Sequence, residues 1–360
     1  MECASGMVNE RNKTRKVMVG STPIGGDAPI TVQSMAKTKT ADVKATVEQI
    51  RELEDEGCEI IRIAVPDDEA AEAIREIKKR IRIPLVADIH FDYHLALKSI
   101  DAGADKIRIN PGNIGSRAHF CQVLRKAKER GIAIRIGVNS GSLEKDLLRK
   151  YGHICAEAMV ESALHHLEIC QENGFDAIVL SLKASNVQLM IDSYRLMSNR
   201  VDFPLHLGVT EAGTYHTGII KSAIGIGTLL SEGIGDTIRV SLTDNPKAEI
   251  RGGYQILRSL NLREYGINVI SCPTCGRLQV DLIAITRQVE EKVLEIRKNL
   301  TLAIMGCTVN GPGEAREADI GIACGKHSAI LFKKGKIIRK IRENEIVQVL
   351  VEEILNWNGV

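Results

Sequence analysis

The sequence predicts a (β/α)8 TIM barrel followed by a small α/β domain, and three patterns point there. An amphipathic helix, a glycine, two or three residues and a short apolar strand recur in that order along residues 1–262. Eight strands can be placed this way, each followed by a helical pattern, which matches a closed barrel better than an open sheet. Beyond Leu262 the repeat stops, and residues 263–360 form a separate unit with its own strands, helices and cysteines.

Residues 17–30 suggest a hairpin turning at Gly25-Gly26-Asp27 and placed to plug the barrel bottom. The first barrel strand spans 31–35. Helix 42–56 follows, with Val43, Val47, Ile50 and Leu53 at helical spacing and Gly57 where a left-handed C-cap favours glycine. Strands 59–65 and 85–88 come next, then 106–110 behind Gly103, 133–138 behind Gly131 and 177–183 behind Gly174. Strands 205–209 and 237–241, the latter behind Gly233, complete the eight. No Gly-x-Gly-x-x-Gly motif opens the first unit, and Gly225, Gly227, Gly233 and Gly235 flank a helix instead of following a strand, so a dinucleotide fold has little support. In the second unit, strands are expected at 267–270, 302–305, 329–332 and 336–339, the last two joined at Lys334-Gly335. A long helix should cover 278–298, and an amphipathic helix closes the chain near Trp357.

Composition narrows the function. The 360 residues include 48 Lys+Arg against 46 Asp+Glu, a formal charge of +2, and only 3% aromatics. That balance provides no basic footprint and few stacking platforms for nucleic acid. Residues 1–16 contain no apolar run of signal-peptide type, and no stretch reaches the ~18 apolar residues of a membrane helix. The expectation is a cytoplasmic protein with reduced thiols, in which nine cysteines mean buried thiols plus a metal or catalytic site.

Four strands carry an arginine between β-branched residues: Ile61-Arg62-Ile63, Ile107-Arg108-Ile109, Ile134-Arg135-Ile136 and Ile238-Arg239-Val240. If the flanking residues pack outward under the helices, period-2 alternation aims each arginine into the barrel. A single one would suit a structural ion pair. Four converging guanidiniums need strong anionic compensation, yet the strand-end carboxylates are only Asp88 and Glu211, beside Asn110, Asn139, Lys183 and Ser241. The inference is a pocket for a small polyanion such as a diphosphate, gripped by bidentate forks. Lys183 also admits a Schiff-base role in a carbonyl lyase, if neighbouring cations lower its pKa. His90 and His94 have i, i+4 spacing but no third ligand to make a metal site.

Cys272-Pro273-Thr274-Cys275 and Cys307 each follow a predicted strand and can converge. A zinc ribbon would bring a second close pair, and a redox dithiol needs no distant third cysteine. Three thiolates suit a [4Fe-4S] cluster whose fourth iron has another ligand or stands open to substrate. Glu314, on the glycine-rich stretch Asn310-Gly311-Pro312-Gly313-Glu314, is the candidate fourth ligand. Cys58, Cys121, Cys155 and Cys170 are expected to be inert core thiols, and Cys3 to lie in a frayed terminus.

These residues resemble the bacterial two-domain 4-hydroxy-3-methylbut-2-enyl diphosphate synthases of the non-mevalonate isoprenoid pathway. The likeness runs nearly end to end, through Val32-Gln33-Ser34-Met35, Ala87-Asp88-Ile89-His90-Phe91-Asp92, Arg108-Ile109-Asn110-Pro111-Gly112-Asn113, Leu207-Gly208-Val209-Thr210-Glu211-Ala212-Gly213, Gly235-Asp236-Thr237-Ile238-Arg239-Val240-Ser241 and Cys272-Pro273-Thr274-Cys275-Gly276-Arg277. The family often has Thr-Asn where this chain has Ala36-Lys37. The resemblance implies reductive ring opening and dehydroxylation of 2-C-methyl-D-erythritol 2,4-cyclodiphosphate. It implies diphosphate binding by Arg62, Arg108, Arg135, Lys183 and Arg239 with Asn110, Asn139 and Ser241. It further implies a cluster on Cys272, Cys275, Cys307 and Glu314, with Glu211, Asp88 or His90 handling protons. Flavodoxin or ferredoxin would donate the electrons, and a head-to-tail homodimer would set one chain's cluster domain over the other's barrel. The rivals are an aldolase-like lyase acting through Lys183 and a noncatalytic iron-sulfur sensor.

Overall fold

The structure, a computed structural model, describes residues 10–110, 113–307 and 318–359. It divides into two compact units, one ending at Arg263 and the other beginning at Glu264. Arg263, expected to open the second unit, belongs to the first: its guanidinium contacts Glu59 at 3.1 Å and donates to Ile30 O at 2.8 Å.

The chain enters through β1 (Val17–Val19) and β2 (Thr22–Ile24), an antiparallel pair with Val19 opposite Thr22. The tight turn is therefore Gly20-Ser21 and not the expected Gly25-Gly26-Asp27; Gly20 takes φ 55°, which favours glycine. Gly25 and Gly26 form a second bend, where the Gly26 amide donates to Thr14 O. Val17, Val19 and Ile24 pack with Ile60, Val86, Ala133 and Val179 at the starts of barrel strands, so the hairpin does plug the bottom.

Strands and helices then alternate: β3 (Thr31–Met35), α1 (Val43–Asp55), β4 (Ile60–Ala64), α2 (Asp68–Lys78), β5 (Leu85–Ile89), α3 (Tyr93–Asp101) and β6 (Lys106–Ile109). They continue with α4 (Arg117–Arg130), β7 (Ala133–Asn139), a short extra helix α5 (Lys145–Tyr151), α6 (Ala156–Glu172), β8 (Ile178–Lys183) and α7 (Val187–Ser198). β9 (His206–Leu207), α8 (Tyr215–Ser231), β10 (Thr237–Ile238) and α9 (Pro246–Ser259) finish the unit. Side-chain caps start the helices where the sequence places Asp and Asn: Asp42 accepts from Ala45 N, Asp67 from Ala70 N and Asn186 from Leu189 N. Gly131 ends α4 in the left-handed conformation at φ 64°.

The strand order is β8-β7-β6-β5-β4-β3-β10-β9, all parallel, and the Leu180–Leu205 bridge closes the circle. β9 and β10 are shorter than expected. Gly208, just past β9, is closely packed: a Cβ there would lie 2.6 Å from Arg239 O and 2.7 Å from Lys183 Nζ.

Following the register round the barrel, with one residue of stagger per strand for the tilt, sorts the inward side chains into layers. Near the bottom lie Ile60, Lys106, Val179 and Thr237. Above them come Gln33, Val86, Arg135 and His206, then Arg62, Arg108, Ser181 and Arg239. Higher still are Met35, Asp88, Gly137 and Gly208, and Asn110, Lys183 and Ser241 reach the C-terminal mouth.

The second unit is a five-stranded sheet in the order β11 (Ile267–Ser271), β12 (Leu300–Met305), β13 (Ile320–Gly325), β14 (Ser328–Lys333) and β15 (Lys336–Arg342). The first three run parallel and the last two antiparallel. β13 was not expected from the sequence. Helix α10 (Leu282–Val293) begins at its Asp281 cap and is shorter than the expected 278–298; α11 (Ile346–Leu355) closes the fold. Both helices pack on one sheet face, where Ile285, Val289, Leu302, Ile322, Leu331, Ile341 and Leu350 form the core. Among the described residues, no helix is long and apolar enough to cross a membrane.

Candidate active site

The four Ile-Arg motifs do what their alternation predicts. Arg135 is 1% exposed and Arg108 5%, while Arg62 and Arg239 are nearly buried at the same level of the barrel. Lys183 joins them from β8, directly in register with Asn139 on β7. Six cations, Arg62, Lys106, Arg108, Arg135, Lys183 and Arg239, thus line an interior to which the described strands contribute one inward-facing carboxylate, Asp88.

Asp88 anchors the upper arginines. Its Oδ1 lies 3.2 Å from Arg108 Nη1 and its Oδ2 3.7 Å from Arg62 Nε. Burial alone would raise its pKa, but the guanidiniums of Arg62 and Arg108 outweigh that and hold it at about 2. Asp88 is thus an anion that aims two guanidiniums. Arg62 also rests on Met35, with Nη2 2.9 Å from the sulfur. Arg108 Nη2 donates to Asn139 Oδ1 at 3.0 Å once that amide is oriented to satisfy both groups. Asn110 Nδ2 donates to Ser142 Oγ at 2.8 Å, and Ser241 is half-buried beyond Arg239.

Several participants escaped the sequence. Glu249, 1% exposed in the first turn of α9, contacts Arg239 Nη2 at 3.4 Å and Lys37 Nζ at 3.6 Å, and accepts from Ser34 Oγ. Lys37 also donates to Leu242 O, so the Ala36-Lys37 loop is tied to the segment after β10. Gly137 and Gly208 are cradles: a Cβ on Gly137 would sit 2.8 Å from Arg108 Nε, as one on Gly208 would crowd Lys183. Lys106, Gln33 and His206 extend the polar interior downward. Burial, then Arg135, lowers the proton affinity of Lys106 and of His206; burial, then Arg135, Arg239 and other cations, does the same for Lys183. Each cation thus raises the electrostatic cost of the next, and the pocket is strongly biased toward a compact polyanion.

The remaining proton candidates sit nearer solvent. His90 is half-exposed with Nε2 3.7 Å from Asp88 Oδ2. Glu211 is exposed and holds φ 52°, a left-handed backbone that a non-glycine residue adopts at a cost of about 1–3 kcal/mol. His94 pairs with Asp92 at 2.8 Å, not with His90, and no group of three metal-ligating side chains forms among the described residues.

In the second unit Cys272, Cys275 and Cys307 line one cavity of about 240 Å3 with Pro273, Arg277, Met305 and Gly306. Parallel strands β11 and β12 deliver them from adjacent ends, and the Gly306 amide donates to Cys272 Sγ at 3.3 Å. Gly306 is tightly packed: a Cβ there would lie 2.3 Å from Leu278 Cδ2, so that side chain would have to move. The thiols line a wall without closing round a single ion. Glu314 lies outside the described residues, as do Cys3, Pro111 and Gly112. Cys324, on β13, is buried in the core, and burial pushes its thiol up to about 12. Cys58 and Cys170 are buried with thiols likewise near 12, whereas Cys121 and Cys155 are only half-buried.

Fold and site together define a two-unit α/β protein: a barrel built to hold a polyanion, followed by a sheet that presents three thiols to one cavity. The chain belongs to the GcpE family. Residues 14–254 match the GcpE TIM-barrel domain and residues 268–356 the GcpE protein C-terminal domain. It is 60% identical over 347 residues to a 4-hydroxy-3-methylbut-2-en-1-yl diphosphate synthase (flavodoxin) of Clostridium tetani, covering 96% of this chain and 99% of the relative. It is 60% identical to the protein of that name from Caldanaerobacter subterraneus (97% and 98% covered) and 56% identical to that of Geobacter sulfurreducens (95% and 97%). Among solved structures, a dihydropteroate synthase from Stenotrophomonas maltophilia superimposes with TM-score 0.51 at 14% identity, covering 69% of this chain and 98% of that one, a likeness of fold alone.

Proposed function

We propose that this protein is a flavodoxin-dependent 4-hydroxy-3-methylbut-2-en-1-yl diphosphate synthase, opening and dehydroxylating 2-C-methyl-D-erythritol 2,4-cyclodiphosphate. Two electrons and two protons enter for each water that leaves. The observation that carries the reading is the buried cluster of Arg62, Arg108, Arg135, Lys183 and Arg239 around two buried carboxylates, Asp88 and Glu249, an excess of positive charge that a cyclic diphosphate corrects.

In this reading Arg62 and Arg108, splayed by Asp88, grip one face of the diphosphate, while Arg135 and Lys183 meet it from below and beside. Arg239 is held by Glu249, and Asn110, Asn139 and Ser241 donate from the mouth. Glu211 or His90 Nε2 hands a proton to the departing hydroxyl. Cys272, Cys275 and Cys307, with Glu314, would hold a [4Fe-4S] cluster; three thiols spread along a cavity wall, without a single-ion set, fit that donor pattern. Such a cluster supplies electrons singly and a Lewis-acidic iron with a replaceable ligand. The enzyme works in the cytoplasm as a head-to-tail homodimer, with flavodoxin or ferredoxin as donor. Family membership does not favour the Lys183 lyase, and borohydride with substrate should trap no adduct. The deciding experiment is anaerobic turnover of the cyclodiphosphate with a chemical reductant by protein carrying about four irons per chain. Colourless, zinc-loaded protein without turnover would overturn the proposal, and active monomer alone in equilibrium sedimentation would overturn the dimer.

A further inference from the structure

We propose that Glu249 is a positioning residue of the polyanion pocket: it reaches through the barrel wall from α9 and fixes the direction of the Arg239 guanidinium. The proposal rests on the reading above that a cyclic diphosphate fills that pocket.

A carboxylate on α9 would ordinarily meet only the outward side of the strands. Val32 on β3 faces this helix, since a Cβ on Gly253 would lie 3.1 Å from its Cγ1. By alternation Ser34 also faces the helices, while Gln33 and Arg239 face the interior. Glu249 touches both sides: its Oε2 accepts from Ser34 Oγ at 3.1 Å and from Arg239 Nη2 at 3.4 Å. The register shows how. β3 and β10 pair at Thr31–Thr237 and Val32–Ile238 and no further, so the strands part just where the carboxylate passes between them.

The carboxylate is itself held from several directions. Its Oε1 accepts from the Leu242 amide at 3.1 Å, and Lys37 Nζ stands 3.6 Å from the same oxygen while donating to Leu242 O at 3.0 Å. The start of α9 is fixed by its Asn245 cap and by Pro246 in the first turn. Glu249 is thus a 1% exposed anion with little freedom, and what it holds inherits that rigidity. Arg239 Nε is buried without a hydrogen-bond partner among the described residues, so the guanidinium keeps a donor for a ligand after Glu249 is satisfied. Asp88 aims Arg62 and Arg108 from within the barrel; Glu249 does the same for Arg239 from the helix layer.

The test uses the iron-loaded enzyme and the cyclodiphosphate, with the dissociation constant from calorimetry beside KM and kcat. Glu249→Gln keeps the volume and one acceptor oxygen but loses the charge that holds Arg239. Deleting a negative charge near an anion would by itself tighten binding, whereas loss of aim weakens it. The dissociation constant and KM should rise about tenfold, with kcat changed far less and iron per chain intact. In an Arg239→Met background the same substitution should weaken binding no further; a merely structural carboxylate would cost its full factor there as well. Ser34→Ala, which removes one donor with little change of volume, should weaken binding about threefold, again only while Arg239 is present. Tighter or unchanged binding in Glu249→Gln, or equal losses with and without Arg239, would overturn the proposal. If Glu249→Gln does not fold, the Ser34→Ala pair decides by the same criterion. Wild-type enzyme that neither binds nor turns over the cyclodiphosphate would sink the enzymatic reading, and this assignment with it.

Discussion

In the barrel the charges point inward and lose their water, with Arg135, Lys106 and His206 all essentially unexposed; in the sheet unit the lysines of β15 stand in solvent and the interior is hydrocarbon. The two regions solve opposite problems. A polyanion pocket gains strength from low dielectric and from guanidiniums fixed before the ligand arrives. Reactive thiols need access, so Cys275 is exposed and its neighbours half-buried, on strands made rigid by an apolar core behind them. On the proposed reading, binding and electron handling are built by different physics in two compact units, and turnover alone should need both.

The sharpest way to break that division is Cys307→Ala. It should remove iron and turnover together yet leave cyclodiphosphate binding, followed by calorimetry, at the wild-type affinity; lost binding would mean the regions are not separable. The mirror variant, Arg108→Met, should keep the full iron content while kcat/KM falls on the order of 100-fold, as expected for removing one partner of a buried charged contact. Asp88→Asn is milder: iron stays, and the KM rises about tenfold as Arg62 and Arg108 lose their aim. Its stability signature is specific. The Asp88 pKa is about 2, below the ~3.9 of an unfolded Asp, so the wild-type carboxylate stabilises above about pH 4 and that share, roughly 2 kcal/mol, is lost as pH falls through about 2. Denaturation of the Asn variant should show a flatter acid limb over that window. The smallest effect belongs to Cys324→Ala, which should cost about 1 kcal/mol of stability and leave iron per chain untouched; loss of iron would place a fourth thiol in the functional set.

Much of the barrel was legible because each βα unit repeats a helix stripe, a capping glycine and a β-branched strand, and because an arginine between isoleucines can face only one way. The polar floor was not. Lys106 opens its strand and resembles a solvated terminus, and His206 and Gln33 are neutral residues in apolar runs; only the closed register reveals that all three face inward. Glu249 hid for a related reason, since an acidic residue in the first turn of a helix ordinarily serves the helix dipole. The missed β13, Ile-Gly-Ile-Ala-Cys-Gly, is too small and glycine-rich to announce itself, although its place between β12 and β14 decides the sheet. The hairpin turn was misplaced because Gly25-Gly26 is a stronger local signal than Gly20-Ser21.

The stopper formed by Val17, Val19 and Ile24 has a consequence for traffic. A barrel sealed below has a single doorway, so whatever enters over Asn110 and Ser241 must leave the same way. Reactant and product therefore queue for one opening. Vacating the site becomes part of every cycle, and product lingering near the mouth competes directly with the next molecule to arrive.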